Sequence, residues 1–154
     1  MDAGSSHPLF HKHVGGRRLM QLYEQDYNLW LEQTSAQLRQ RDFSHLDIEN
    51  LIEEIEGLGK SDRREIYNRL VRLYEHQLKL DYWHEERERN ERSWKLTIRE
   101  QSLRIERILK DSPSLRNYRE AILDEAYGEA LENVKILTGL EMRFPAECPY
   151  KQSI

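Results

Sequence analysis

Asp47-Ile48-Glu49-Asn50-Leu51-Ile52-Glu53-Glu54-Ile55-Glu56-Gly57-Leu58-Gly59 is the stretch whose reading decides the fold. Its apolar residues stand at 48, 51, 52, 55 and 58, the recurrence of one side of an α-helix. The same phase runs on through Ile66, Leu70, Leu73 and Leu80, so the spacing predicts a long helix with one buried stripe. Tyr67, Val71, Tyr74 and Leu78 widen the apolar arc, which suits a helix placed centrally in a bundle. Asp47 is positioned to cap its first turn, because a carboxylate there can accept from free backbone amides. Gly57 and Gly59, with Ser61 available as a fresh cap, predict a kink or break near residue 59. Glu49, Glu54 and Glu56 fall on the flanks of the stripe and Glu53 nearly opposite it. Inward carboxylates of the di-metal bundle kind are therefore not expected.

Upstream, one face formed by Tyr23, Tyr27, Trp30, Leu31, Thr34 and Leu38 predicts a helix over Leu22 to Arg41. Leu22, Leu29 and Ala36 form a second, thinner stripe on it, and a turn is expected around Asp42 to His45. Residues 1–19, with the Gly15-Gly16 pair and three histidines (His7, His11 and His13), read as a loose leader. Residues 20–154 read as a single domain.

Downstream, residues 85–92 carry only charged and polar side chains and suit a solvated connection or helix extension. A third helix is expected over about 92–110, burying Trp94, Ile98, Ile105, Ile108 and Leu109, with Leu96 and Leu103 on the other side. Ser112 and Pro113 predict the cap and first residue of a fourth helix. That helix would be faced by Leu115, Tyr118, Ile122, Leu123, Ala126, Ala130, Val134 and Leu137 and closed at Gly139. The Pro-containing tail that follows offers Phe144 and Tyr150 for docking. Short connections between the helices predict an all-α, four-helix antiparallel bundle.

The chain of 154 residues is 34% charged and 38% hydrophobic, with a formal net charge of −4. Such a mixed, weakly acidic surface disfavours a generic nucleic-acid or membrane binder. One cysteine, Cys148, excludes an internal disulfide and fits a reducing compartment. No apolar run nears the roughly 20 residues of a membrane span, so a cytoplasmic protein is expected.

Five blocks carry a family resemblance. They are Tyr23-Glu24-Gln25-Asp26-Tyr27-Asn28-Leu29-Trp30-Leu31, Leu46 through Ile55, Ser93-Trp94-Lys95-Leu96-Thr97-Ile98-Arg99-Glu100-Gln101, Asp111-Ser112-Pro113-Ser114-Leu115-Arg116, and Phe144-Pro145-Ala146-Glu147-Cys148-Pro149-Tyr150. In this colinear order the chain resembles domain-of-unknown-function family 29, common in cyanobacteria and found in other bacteria. The resemblance implies a compact, all-helical, bacterial cytoplasmic domain and supplies no catalytic residues. It departs from the family pattern at 85–92, where relatives often have proline-containing loops.

Candidate chemistry is sparse. Asp81-x-x-His84 is the nearest thing to a metal-ligand pair and has no partner copy, so neither a metal site nor a cofactor is expected. Arg69, Arg72 and His76 form a small cationic group, and the Arg69–His76 spacing resembles the Arg-x4–6-His pattern of HEPN-type toxin ribonucleases. There a histidine could act as base while an arginine steadies the phosphate. Against this, Arg69 and Arg72 can pair with Glu65 and Glu75. Arg99, Arg104 and Arg107 alternate with Glu100 and Glu106, so a nucleic-acid face is unpromising. Cys148 reads as a buried plug, and the aromatics Tyr23, Tyr27, Trp30, Tyr67, Tyr74 and Trp94 read as packing rather than a ligand pocket. Leu22 with Leu29, and Leu96 with Leu103, lie opposite the main stripes of their helices. They are the candidate interface, for a second copy or another protein. The sequence thus favours a non-catalytic interaction or assembly module, with a small RNA-acting or toxin–antitoxin-type protein as the alternative.

Overall fold

The structure is a computed structural model that describes residues 21–151. The leader and its histidines lie outside the described residues. The chain is all-helical, with no strand among the described residues. Helices α1 (Leu22–Gln25) and α2 (Tyr27–Arg39) and a 3-10 turn (Phe43–His45) precede α3 (Ile48–Tyr82), α4 (His84–Asp111) and α5 (Leu115–Thr138). Contacts group the chain into two compact units, Met1–Ile52 and Glu53–Ile154.

In the first unit, the single helix expected over Leu22 to Arg41 is divided at Asp26. The Asp26 carboxylate accepts from the Leu29 amide at 3.0 Å and so starts α2 as its cap. Trp30 and Thr34 are buried as expected, whereas Tyr27, Leu31 and Leu38 of the same face are exposed. Tyr23 packs edge-on against Trp30 at 4.8 Å. Asp47 caps α3, accepting from the Asn50 amide at 3.4 Å and the Asn50 side chain at 2.7 Å.

The second unit is organised by a one-residue break. Trp83, with φ −94° and ψ 71°, is the only non-helical residue between α3 and α4. Arg69 and Gln101 are thirty-two positions apart and would stand about 48 Å apart along one straight helix. Their side chains instead meet at 3.1 Å, so α4 doubles back along α3. At the far end Arg119 of α5 meets Glu106 of α4 at 3.7 Å, a second reversal. Tyr118 reaches the Arg63 carbonyl and Asn133 reaches Glu75, so α5 runs in the direction of α3. Of the four helices expected to form an antiparallel bundle, α3, α4 and α5 share one core here, and α2 falls in the first unit.

That core contains Ile66, Leu70, Leu73, Tyr74 and Leu78 of α3, Ile105 and Leu109 of α4, and Ile122, Leu123, Ala126, Tyr127, Ala130, Leu131 and Val134 of α5. The tail closes it. Phe144 packs against Tyr82, Tyr150 stacks on Tyr74, and the Tyr150 hydroxyl donates to Asp81 at 2.7 Å. Gly139 ends α5 at φ 70°, the left-handed conformation glycine adopts without strain.

Several expectations are corrected. α3 runs unbroken through Gly57 and Gly59, and Ser61 starts no new helix. Two glycines cost a helix only about 1 kcal/mol each, too little to interrupt 35 residues anchored by packing further along. α4 begins at His84, eight residues earlier than expected, so 85–92 is helical. Ser112 and Pro113 form a turn before α5, which starts at Leu115 without a side-chain cap bond.

The largest correction concerns the opening stripe. Ile48, Ile52, Ile55 and Leu58 are 53%, 50%, 59% and 69% exposed. Within the second unit the reason is geometric. α4 ends at Asp111 and α5 starts at Leu115, and the contacts Arg63–Tyr118 and Arg69–Gln101 set those ends level with about residue 60 of α3. Ile55 and Leu58 project beyond them. Replacing both by serine should change stability by no more than about 0.5 kcal/mol in denaturant unfolding, whereas Leu70→Ala should lose about 3 kcal/mol.

Burial pushes the phenols of Tyr74, Tyr127 and Tyr150 up; the Cys148 thiol adds to the first two and Asp81 to the third. A pKa raised on folding gives stability that is complete below the unfolded value of about 10 and is lost as pH climbs above it. An alkaline titration followed by ultraviolet absorbance and circular dichroism tests this. The last tyrosinate absorbance should appear only together with loss of the helical circular-dichroism signal.

Candidate functional site

The side-by-side course of α3 and α4 creates a groove of about 600 Å³ lined by Ser61, Arg64, Asn68, Arg69 and Arg72 of α3, with Glu65 between them. Glu100, Gln101 and Arg104 of α4 form the other wall. At about 100° per residue, positions 61, 65, 68 and 72 fall in one row along α3, which is why they share the groove.

The arginines divide into two kinds. Arg69 is structural: its Nε and Nη2 donate to Glu65 at 2.8 and 2.6 Å, and its Nη1 donates to Gln101 at 3.1 Å. Gln101 is only 7% exposed, so this bond satisfies a buried amide oxygen. Arg64, Arg72 and Arg104 are exposed, and none has a carboxylate within ion-pair distance among the described residues. Glu75, which the sequence offered to Arg72, accepts from Asn133 instead.

The row continues toward Trp83. His76 Nδ1 donates to the Arg72 carbonyl at 2.8 Å, which leaves Nε2 as an acceptor facing Lys79 Nζ at 3.5 Å. Burial holds both the His76 and Lys79 pKa values below their ordinary values. The Lys79 ammonium lies 5.6 Å over the Trp94 ring, and Trp94 stacks on Trp83 at 5.9 Å.

The sequence named Arg69, Arg72 and His76 together. The structure separates their roles, with Arg69 committed to Glu65 and Gln101 and Arg72 unpaired beside His76. Arg64, Gln101 and Trp83 were missed. Their signal was available in the four-residue row on α3 and in the shared phase of Trp94 and Gln101. Asp81 is taken by Tyr150 and His84 is exposed. Among the described residues no group of His, Cys, Asp and Glu could hold a metal ion. Cys148 is half-buried beside the core. Leu96 and Leu103 are exposed on α4, Leu29 is exposed on α2, and Leu22 is half-buried.

The family described as Domain of unknown function DUF29 matches residues 22–153. The chain belongs to that family. No curated protein and no solved structure matches the chain. For this family member no helix of the described residues is long and apolar enough to cross a membrane.

The two kinds of arginine are separable by experiment. Arg69→Ala strands the buried Gln101 oxygen and should cost about 1–2 kcal/mol in urea unfolding. Arg72→Ala should stay within about 0.5 kcal/mol of wild type.

Proposed function

We propose that the protein is a non-catalytic interaction module that docks a partner helix on the exposed stripe of α3. The observation that supports this is Ile55 and Leu58 of the second unit, spaced as a core face yet 59% and 69% exposed. Contiguous apolar side chains left in water favour a covering partner. Glu56 borders the stripe, by helical phase. The partner is accordingly an amphipathic helix with an aliphatic stripe bordered by lysine or arginine. Leu96 and Leu103, and Leu22 and Leu29, are secondary interface candidates within the same reading. A second copy of the chain is the other occupant that the experiment addresses.

The test is fluorescence anisotropy with a designed helical peptide carrying a leucine stripe bordered by lysines. Binding should be in the micromolar range and should weaken at least tenfold with the I55E/L58E variant or with a glutamate-bordered peptide. Equal binding to both peptides would defeat the proposal. A dimer in light scattering that I55E/L58E dissociates would replace the foreign helix by a second copy. A dimer lost on Leu96→Glu alone would move the interface to α4.

A further inference from the structure

The groove between α3 and α4 has chemistry that the docking stripe does not use. Four arginines, Arg64, Arg69, Arg72 and Arg104, and two glutamates, Glu65 and Glu100, line the groove. They come from two facing helices of a chain whose net charge is −4. Like charges gathered on facing helices repel one another, and side chains selected for solubility alone would be interspersed. Of these arginines, Arg69 bridges α3 to α4 through Gln101. Arg64, Arg72 and Arg104 stand unpaired around a polar floor of Ser61, Asn68 and Gln101, with Glu100 as the one lining acid among the described residues that no arginine pairs with.

The ligand class follows from shape and lining. Unpaired guanidinium groups beside neutral amides suit phosphate oxygens. Arg64 to Lys79 is fifteen residues of α3, about 22 Å of basic row, longer than any single phosphate or diphosphate group. The row ends at Trp83, half-exposed and stacked on Trp94, whose ring also lies under the Lys79 ammonium. An extended row of cations that ends on an aromatic face is the pattern that tracks a single strand and stacks one base. The groove proper contains no aromatic side chain, so its bases would be unread.

We infer that the α3–α4 groove binds the phosphodiester backbone of a single-stranded nucleic acid, with Arg64, Arg72 and Arg104 on phosphates and Trp83 under a base. The inference is independent of the docking stripe, which lies on another face of α3. It involves contact without cleavage, because Arg69 is committed to Glu65 and His76 Nε2 faces Lys79.

The experiment uses the full chain and a labelled twelve-nucleotide single strand, as RNA and as DNA, followed by anisotropy. Three phosphate contacts give a single-strand salt slope of about −2, so raising salt from 50 to 200 mM should weaken binding roughly twentyfold. The R64E/R72E/R104E variant should lose at least tenfold in affinity. The R39E/R41E/R116E variant, with the same charge change elsewhere, should lose less than threefold; circular dichroism checks that both fold. Tryptophan fluorescence should be quenched on binding to the wild type, and W83L should weaken binding by about fivefold. The RNA and DNA arms decide which strand is preferred. Equal losses in the two triple variants, or no binding at 50 mM salt, would overturn the inference. So would displacement of the strand by pyrophosphate at matched phosphate concentration, which would mark a small-anion site.

Discussion

A single residue out of helical conformation, Trp83, sets the geometry on which the second unit depends. It reverses the chain between helices of 35 and 28 residues and leaves almost no slack in how they align. Two contacts then hold the alignment: the Trp83–Trp94 stack at the hairpin end and the Arg69–Gln101 bond further along. α5 closes the third side through Ala126 and Ala130, small residues buried in the core. The tail seals the bundle with Phe144 and Tyr150. Core burial supplies the stability here, but the hairpin decides which residues reach the core.

That constraint explains why a regular apolar stripe is buried in one half of α3 and wet in the other. Burial belongs to neighbours as much as to pattern. Ile66, Leu70 and Leu73 have α4 and α5 beside them, whereas Ile55 and Leu58 lie beyond the ends of both. The two glycines at 57 and 59 sit in open space, where an added Cβ would meet nothing within 4 Å. They therefore mark the lightly packed end of the helix and not a hinge. Their effect on the chain is a modest loss of helix propensity.

Much of the helical content was legible in sequence because the period of 3.6 is written into α3, α4 and α5. The buried residues Leu70, Ile105, Ile122 and Val134 follow it directly. The cap at Asp47, the left-handed Gly139 and the docking of Phe144 and Tyr150 were also readable, since each rests on a residue with one dominant local role. Helix lengths were less so. Asp26 and Ser112 are competent caps by type, and only the first was used, so type does not settle which turn is chosen. Arg119, a buried charged residue paired with the exposed Glu106 and Glu120, breaks the rule that arginines mark the surface. The groove was the least legible part. Its two walls come from segments about thirty residues apart, and pairing of Arg69 but not Arg72 depends on which carboxylates the fold brings near.

α3 therefore carries two surfaces of opposite character. Near Ile55 it is aliphatic and bordered by Glu56; from Arg64 onward it is basic along the groove. Ile55 and Arg72 are seventeen residues apart, about 25 Å along the axis, and roughly a quarter-turn apart around it. The nearest opposite charges of the two surfaces, Glu56 and Arg64, are only eight residues apart, about 12 Å along the axis, so salt weakens their attraction without abolishing it. Occupants of the two surfaces would sit close together along one helix, since Leu58 and Arg64 are about 9 Å apart on its axis. A rigid helix holding them at a fixed separation can join a protein partner to a charged polymer, and that geometry asks for no catalytic group in the chain.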